Sequence, residues 1–116
     1  MKKKIFLIDI DNTICRTKGN SYKKAKPFKN KIILINKLYK KGHTIKFFTS
    51  RFMGRNKDSV NKAKKQGLKF TKKQLKIWKC NYHFLIFGKP SHDILIDDKS
   101  INYNQNWHKK IEKKYL

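Results

Sequence analysis

The chain has 116 residues, of which 31 are lysine or arginine and only seven are aspartate or glutamate, so its formal net charge is +24. Its 38% hydrophobic and 13% aromatic content is enough for a packed core, which excludes a globally disordered chain. The apolar run behind the basic N-terminus ends after four residues, too soon for a signal peptide or a membrane span. We therefore expect one cytoplasmic domain over residues 1–116, without a membrane segment.

The high charge does not by itself require a nucleic-acid partner. Only three basic residues are arginine (Arg16, Arg51 and Arg55), and the lysines are spread along the whole chain. Arginine is the better residue for bidentate contacts with phosphates and bases. Nucleic acid is therefore not the expected partner, although the charge does not exclude it. The same positive field also attracts anionic small molecules.

The first half of the chain predicts a strand, a hairpin or loop, and a helix. Residues 5–10 are almost wholly apolar and rich in β-branched side chains, which is typical of a buried parallel strand. A turn-forming cluster at residues 17–21 predicts a loop or small hairpin within residues 12–26. Pro27 then begins a helix, and Gly42 ends it.

The second half alternates strands and helices. We expect a strand at residues 44–49, a helix at 58–65 that Gly67 ends, a helix that Thr71 caps, strands at 82–87 and 94–96, and a terminal helix within 104–116. Strands that alternate with helices in this way imply a parallel sheet with right-handed crossovers. The predicted fold class is therefore α/β with a central parallel sheet.

Polar side chains follow each predicted strand. In chain order these are Asp9 and Asp11, then Thr49, Ser50 and Arg51, then Lys89, and finally Asp97 and Asp98. Ligands of parallel sheets bind beyond the carboxyl ends of the strands, where these side chains would meet. Four carboxylates in one site repel each other unless a cation intervenes, and Mg²⁺ is the natural choice. A hydroxyl and a lysine nearby suit the binding of phosphate oxygens.

The order of these motifs resembles that of the haloacid dehalogenase-like phosphohydrolases. The matching stretches are D-I-D-N-T at residues 9–13, T-S-R at 49–51, G-K-P around Lys89, and L-I-D-D ending at Asp98. The resemblance covers the chain from Ile5 to about Ser100. It implies a Rossmann-like three-layer sandwich. The gaps between the motifs are already filled by helices, so we expect no cap domain.

A narrower resemblance is to small phosphatases of bacterial capsule and surface-polysaccharide biosynthesis. It rests on the stretches around Tyr39, Gln74, Tyr82 and Gly88. It implies a phosphorylated small molecule, such as a sugar phosphate, as the substrate. Because relatives use a cap to cover the site, a chain without one needs cover from the loop at residues 16–22, from a large substrate, or from a second copy. We expect a homo-oligomer.

The resemblance also implies a role for each residue of the site. Asp9 would be the nucleophile and a Mg²⁺ ligand, and Asp11 would be the general acid and base, with its backbone carbonyl on the metal. The residues implied to bind the phosphoryl group are Thr49, Ser50, Asn12, Arg51 and Lys89. Asp97 and Asp98 would complete the metal site.

Several alternatives stay open on the sequence alone. Asp11 and Asn12 are also turn formers, Arg51 is as well explained by a surface ion pair, and Lys99 is a rival to Lys89. The substrate is either a small phosphorylated metabolite or a nucleotide or nucleic-acid end, which the charge would favour. A non-catalytic binding protein on the same fold is the third hypothesis.

Overall fold

The computed structural model describes residues 2–116 and has an α/β architecture. In chain order the elements are β1 (Ile5–Ile8), β2 (Cys15–Arg16), β3 (Lys26–Pro27), α1 (Lys29–Lys40), β4 (Thr44–Thr49), α2 (Val60–Ile77), β5 (Phe84–Phe87) and α3 (Trp107–Tyr115). Two short 3₁₀ turns, Tyr22–Lys24 and Gly54–Asn56, lie in the connections. The predicted hairpin and the terminal helix are thus confirmed.

The central sheet has three parallel strands in the order β1-β4-β5. Ile8 lies beside Phe47, and Thr49 lies beside Phe87, so the three strands end at one edge. α1 connects β1 to β4, and α2 connects β4 to β5. The expected parallel sheet is therefore confirmed, and its carboxyl edge gathers the segments that follow the strands.

All three helices contribute to the core on one face of this sheet. The cluster contains Ile8, Ile45 and Phe47 from the strands, with apolar side chains of α1, α2 and α3 packed around them. Gly42, with a φ of 94°, lies just after α1 and allows the chain to turn directly into β4. The buried side chain of His43 serves a structural purpose here, because its Nδ1 accepts a hydrogen bond from the backbone N–H of Lys4 at 3.0 Å. His83 is exposed, and its Nδ1 likewise accepts a hydrogen bond from the backbone N–H of Ile45 at 3.0 Å.

The opposite face of the sheet is apolar and open. Ile5 is 67% exposed, Leu7 59%, Phe84 53% and Ile86 38%. Leu7 and Phe84 flank Lys46 in the sheet register, and the Lys46 ammonium lies 5.4 Å from the Phe84 ring centroid. Apolar side chains on this face are therefore left in contact with solvent.

The predicted break in the second helical region is wrong. Gly67 and Thr71 both lie inside one continuous helix, α2, rather than between two helices. A Cβ atom at Gly67 would lie far inside the contact distance of the Phe52 ring and 3.0 Å from a ring carbon of Phe87. The glycine is therefore explained by close packing against these two rings, and it does not end the helix.

The predicted strand at residues 94–96 is also not formed. Residues 91–106 are exposed throughout, with Ile94 80% exposed and Ile96 92% exposed. Sequence composition favours a strand here, but a strand is stabilised only by pairing with a neighbour, and this segment has none within residues 2–116. Pro27 is likewise corrected, because it lies in β3 and the helix begins at Lys29.

None of the helices within residues 2–116 combines the length and the apolar character that are needed to cross a membrane.

Candidate active site

A tight turn follows β1 and presents its two aspartates at the edge of the sheet. Ile10, between them, is fully buried, and its carbonyl accepts hydrogen bonds from the N–H groups of Thr13 and Ile14 at 3.1 and 3.0 Å. The side chains of Asp9 and Asp11 remain 32% and 21% exposed. The buried isoleucine thus anchors the turn while both carboxylates stay within reach of solvent.

Asp9 forms an ion pair with Lys89, which follows β5. The Lys89 ammonium lies 3.4 Å from Asp9 Oδ1, and Thr13 Oγ1 donates to Asp9 Oδ2 at 3.2 Å. Burial raises the pKa of Asp9 above its ordinary value, while Lys89 acts in the opposite direction. The Lys89 N–H also donates to the carbonyl of Thr49 at 3.2 Å, which fixes the backbone of Lys89 beside β4. The structure therefore brings Asp9 and Lys89 together, as expected, and the rival Lys99 lies in the exposed segment.

Thr49, Ser50 and Asn12 lie on the same edge of the sheet. Thr49 is 1% exposed, and its hydroxyl oxygen accepts a hydrogen bond from the N–H of Arg51 at 3.1 Å. The Ser50 hydroxyl donates to the carbonyl of Pro90 at 3.4 Å. Asn12 has a left-handed backbone with φ 61°, and its side-chain oxygen accepts from the N–H of Thr17 at 3.0 Å. In this structure these side chains brace the loops around the two aspartates.

Asp11 is held by Arg51 through a bidentate ion pair. Arg51 Nε donates to Asp11 Oδ2 at 2.9 Å, and Nη2 donates to Oδ1 at 2.8 Å. The Arg51 side chain is 0% exposed, so the alternative of a surface ion pair is wrong. Its donors face Asp11 and the core rather than the open edge of the sheet.

Sequence reasoning missed the residues around this ion pair. Arg51 Nη1 donates to Gln74 Oε1 at 2.7 Å and to Thr71 Oγ1 at 3.3 Å. Thr17 Oγ1 donates to Asp11 Oδ1 at 2.6 Å. Thr71 and Gln74 are three residues apart on α2, a spacing that puts two uncharged polar side chains on one helix face. That spacing was the available signal, but it is only meaningful in an unbroken helix.

Asp97 and Asp98 do not join the other two aspartates in this structure. Both are exposed, and Asp97 Oδ1 accepts a hydrogen bond from the N–H of Lys99 at 2.8 Å. Across residues 2–116 no three histidine, cysteine, aspartate or glutamate residues come together as a metal-binding group. The carboxylates expected to form a four-membered site are therefore divided between the sheet edge and an exposed segment.

Comparison with known proteins shows the fold but not the family. The chain matches no protein-family model, and no curated protein sequence is significantly similar to it. It is similar to a crystal structure of an MCSG target from Vibrio cholerae, with a TM-score of 0.79 and 23% sequence identity over 97% of this chain and 98% of the other. At this identity the likeness establishes that the two chains share an overall fold.

Proposed function

We propose that this chain is a phosphomonoesterase of the haloacid dehalogenase-like type, with Asp9 as its nucleophile. The observation that carries the proposal is the pairing of Asp9 with Lys89 at 3.4 Å, beside Asp11 and Thr49, at the edge where three parallel strands end. A carboxylate next to a fixed ammonium group suits attack on an anionic phosphoryl group, because the cation offsets the charge that the two bring together.

In the first half of the proposed reaction, an Asp9 carboxylate oxygen bonds to phosphorus. The bond between phosphorus and the ester oxygen breaks, and its electron pair stays on that oxygen, which takes a proton from Asp11 and leaves as the alcohol. The products of this half are the free alcohol and an aspartyl-phosphate on Asp9.

In the second half, water hydrolyses the aspartyl-phosphate. The water oxygen bonds to phosphorus and its proton passes to Asp11, while the bond from phosphorus to the Asp9 oxygen breaks. Inorganic phosphate leaves, Asp9 is again a carboxylate, and Asp11 again carries the proton that the first half requires. The two halves together consume one water molecule for each ester.

Mg²⁺ is the proposed cofactor, and the described residues fit it in part. The half-buried carboxylate of Asp9 suits this hard cation, whereas both side-chain oxygens of Asp11 bind Arg51, so the proposal uses only the backbone carbonyl of Asp11 as a ligand. Asp97 and Asp98, the other ligands of the proposal, lie apart from them in this structure. When bound, the metal would supply charge neutralisation for the phosphoryl oxygens.

The proposed substrate is a sugar phosphate or a similarly small phosphorylated metabolite, in keeping with the resemblance to phosphatases of capsule biosynthesis. A nucleotide or a nucleic-acid end is the second candidate, which the net charge of +24 favours. The proposed three-layer arrangement also requires cover for the open sheet face. We propose a homo-oligomer, which the exposed side chains of Ile5, Leu7 and Phe84 support. A monomeric elution volume in sizing chromatography would contradict it.

Phosphate release from a panel of substrates tests the proposed function. The panel contains sugar phosphates, nucleotides, a nucleic acid with a terminal phosphate, and a generic aryl phosphate, each with Mg²⁺ and with chelator. Asp9→Asn is compared with Asp58→Asn, which changes an exposed aspartate outside the Asp9–Lys89 pair in the same way. We expect release that requires Mg²⁺, disappears in Asp9→Asn and persists in Asp58→Asn.

Each result of the panel has a defined meaning. The best substrate decides between a metabolite and a nucleotide or nucleic-acid end. Release that survives Asp9→Asn would show that Asp9 is not the nucleophile. Folded protein that releases no phosphate from any member of the panel would favour the non-catalytic binding protein instead.

A further inference from the structure

Arg51 is a charged group buried without any exposed surface. Its side chain is 0% exposed, and it is the largest fully buried side chain within residues 2–116. A guanidinium group in such a place destabilises the fold unless its charge is paired and its donors are satisfied. Because the surface of this chain already carries many basic residues, burial of Arg51 is explained by its local contacts and not by a need for positive charge.

Arg51 is held on two sides. Two of its N–H groups bind Asp11, and Nη1 binds Thr71 and Gln74 of α2 at 3.3 and 2.7 Å. The guanidinium carbon also lies 5.0 Å from the centroid of the Tyr22 ring. These contacts leave the planar group little freedom to rotate or to shift.

Gln74 extends this arrangement to the loop beside the site. While its Oε1 accepts from Arg51, its Nε2 donates to the backbone carbonyl of Tyr22 at 2.8 Å. One glutamine thus connects the 3₁₀ turn Tyr22–Lys24, helix α2 and the buried arginine. The position of the Arg51 guanidinium is therefore determined by two separate parts of the fold.

The two oxygens of Asp11 are not equivalent. Oδ1 accepts from Arg51 Nη2 at 2.8 Å and from Thr17 Oγ1 at 2.6 Å, which occupies both of its lone pairs. Within residues 2–116, Oδ2 accepts only from Arg51 Nε, at 2.9 Å. One lone pair of Oδ2 is therefore free to exchange a proton.

We propose that Arg51 is a positioning residue, which orients Asp11 so that Oδ2 is the atom that exchanges the proton with the leaving oxygen and with water. Thr71 and Gln74 hold the Arg51 guanidinium in turn. The proposal rests on the proposed phosphomonoesterase function and assigns a role that does not involve contact between Arg51 and the substrate. It also explains why an arginine is needed, since a lysine ammonium cannot occupy both carboxylate oxygens in a fixed plane.

The test uses substrates that differ in their need for a general acid. The leaving group of an alkyl phosphate requires a proton, whereas 4-nitrophenolate leaves from an aryl phosphate with little help. We compare kcat/KM for both substrates in the unaltered chain and in Arg51→Lys, because kcat/KM includes the departure of the leaving group. General acid catalysis typically contributes 10²–10⁴-fold, so we expect a loss of about tenfold or more for the alkyl phosphate and a much smaller loss for the aryl phosphate.

Two further variants remove the dependence on a single substitution. If Arg51→Lys does not fold, as judged by circular dichroism, Gln74→Leu decides by the same ratio, with Gln66→Leu as the matched control on the exposed side of α2. In an Asp11→Asn background, Arg51→Lys is expected to change the ratio no further, because the two residues act as one unit.

The outcomes separate this inference from the proposed function. An unequal loss that disappears in the Asp11→Asn background supports positioning. Equal losses for both substrates overturn it, because a structural defect or a lost phosphate contact would lower both values alike. If the unaltered chain releases phosphate from neither substrate, nor from any other member of the panel, the proposed function fails and the inference fails with it.

Discussion

Substitution of Gly67 by alanine tests the packing that keeps α2 continuous. In an exposed helix, glycine to alanine stabilises the helical state by about 1 kcal/mol. Here the added Cβ would overlap the Phe52 ring and lie 3.0 Å from Phe87, and overpacking of this kind costs about 1–3 kcal/mol. We therefore expect Gly67→Ala to lower the free energy of unfolding by about 1 kcal/mol, which corresponds to a fall in Tm of about 4 °C for a chain of this size.

A double-mutant cycle makes this prediction sharp. Urea unfolding is measured for Gly67→Ala in the unaltered chain and in a Phe52→Ala background, with Lys69→Ala as an exposed control on the same helix. Once the Phe52 ring is removed, the clash is largely relieved and the helix propensity of alanine dominates, so the same substitution should become stabilising. If Gly67→Ala is equally stabilising in both backgrounds, the close approach of Phe52 to the helix is wrong.

The remaining predictions concern the site lysine, a buried histidine and the two thiols. Lys89→Met should reduce phosphate release to background, whereas Lys99→Met should retain it. The reverse result would show that Lys99, and not Lys89, is the lysine that assists the reaction. Burial, reinforced by nearby Lys3, lowers the pKa of His43 below its ordinary value of about 6.5. Below that pH the unfolded chain therefore binds more protons than the folded one, and the free energy of unfolding measured in urea should fall as the pH is lowered. This dependence should weaken in His43→Gln, and an unchanged slope would contradict it. Burial raises the pKa of Cys15 to about 11 and the pKa of Cys80 to about 12. At neutral pH, mass spectrometry should therefore show slow alkylation of both thiols in the native chain and rapid alkylation in denaturant. Rapid alkylation of the native chain would show instead that the thiols are accessible.

The edge of the sheet was predictable from the sequence because it follows from local patterns. An apolar run followed by Asp9 and Asp11 indicates a buried strand with two carboxylates at its carboxyl end. In the same way, Thr49 and Lys89 mark the carboxyl ends of their strands. Parallel strands end together, so these side chains had to share one edge once the alternation of strands and helices was recognised.

The surroundings of Arg51 were not predictable in the same way. They depend on an unbroken α2, and glycine within a helical pattern ordinarily indicates an end. The close approach of the Phe52 and Phe87 rings, which belong to other segments of the chain, explains why Gly67 lies inside the helix. Tertiary packing of this kind leaves no local signal in the sequence.

The segment after β5 differs from the predicted strand for a related reason. Residues 94–96 have the composition of a strand, but strand formation depends on the partner as much as on composition. In the structure these residues are exposed and unpaired, and Asp97 and Asp98 remain outside the cluster that their motif predicts.

The most direct test of the proposed function is detection of the covalent intermediate. The chain is mixed with its best substrate, quenched in acid after a fraction of a turnover, digested, and analysed by mass spectrometry. The proposed mechanism predicts that the peptide containing Asp9 gains the mass of one HPO₃ group, and that hydroxylamine removes it. Rapid phosphate release without any phosphorylated peptide, or with the phosphoryl group on a different residue, would contradict the assignment of Asp9 as the nucleophile.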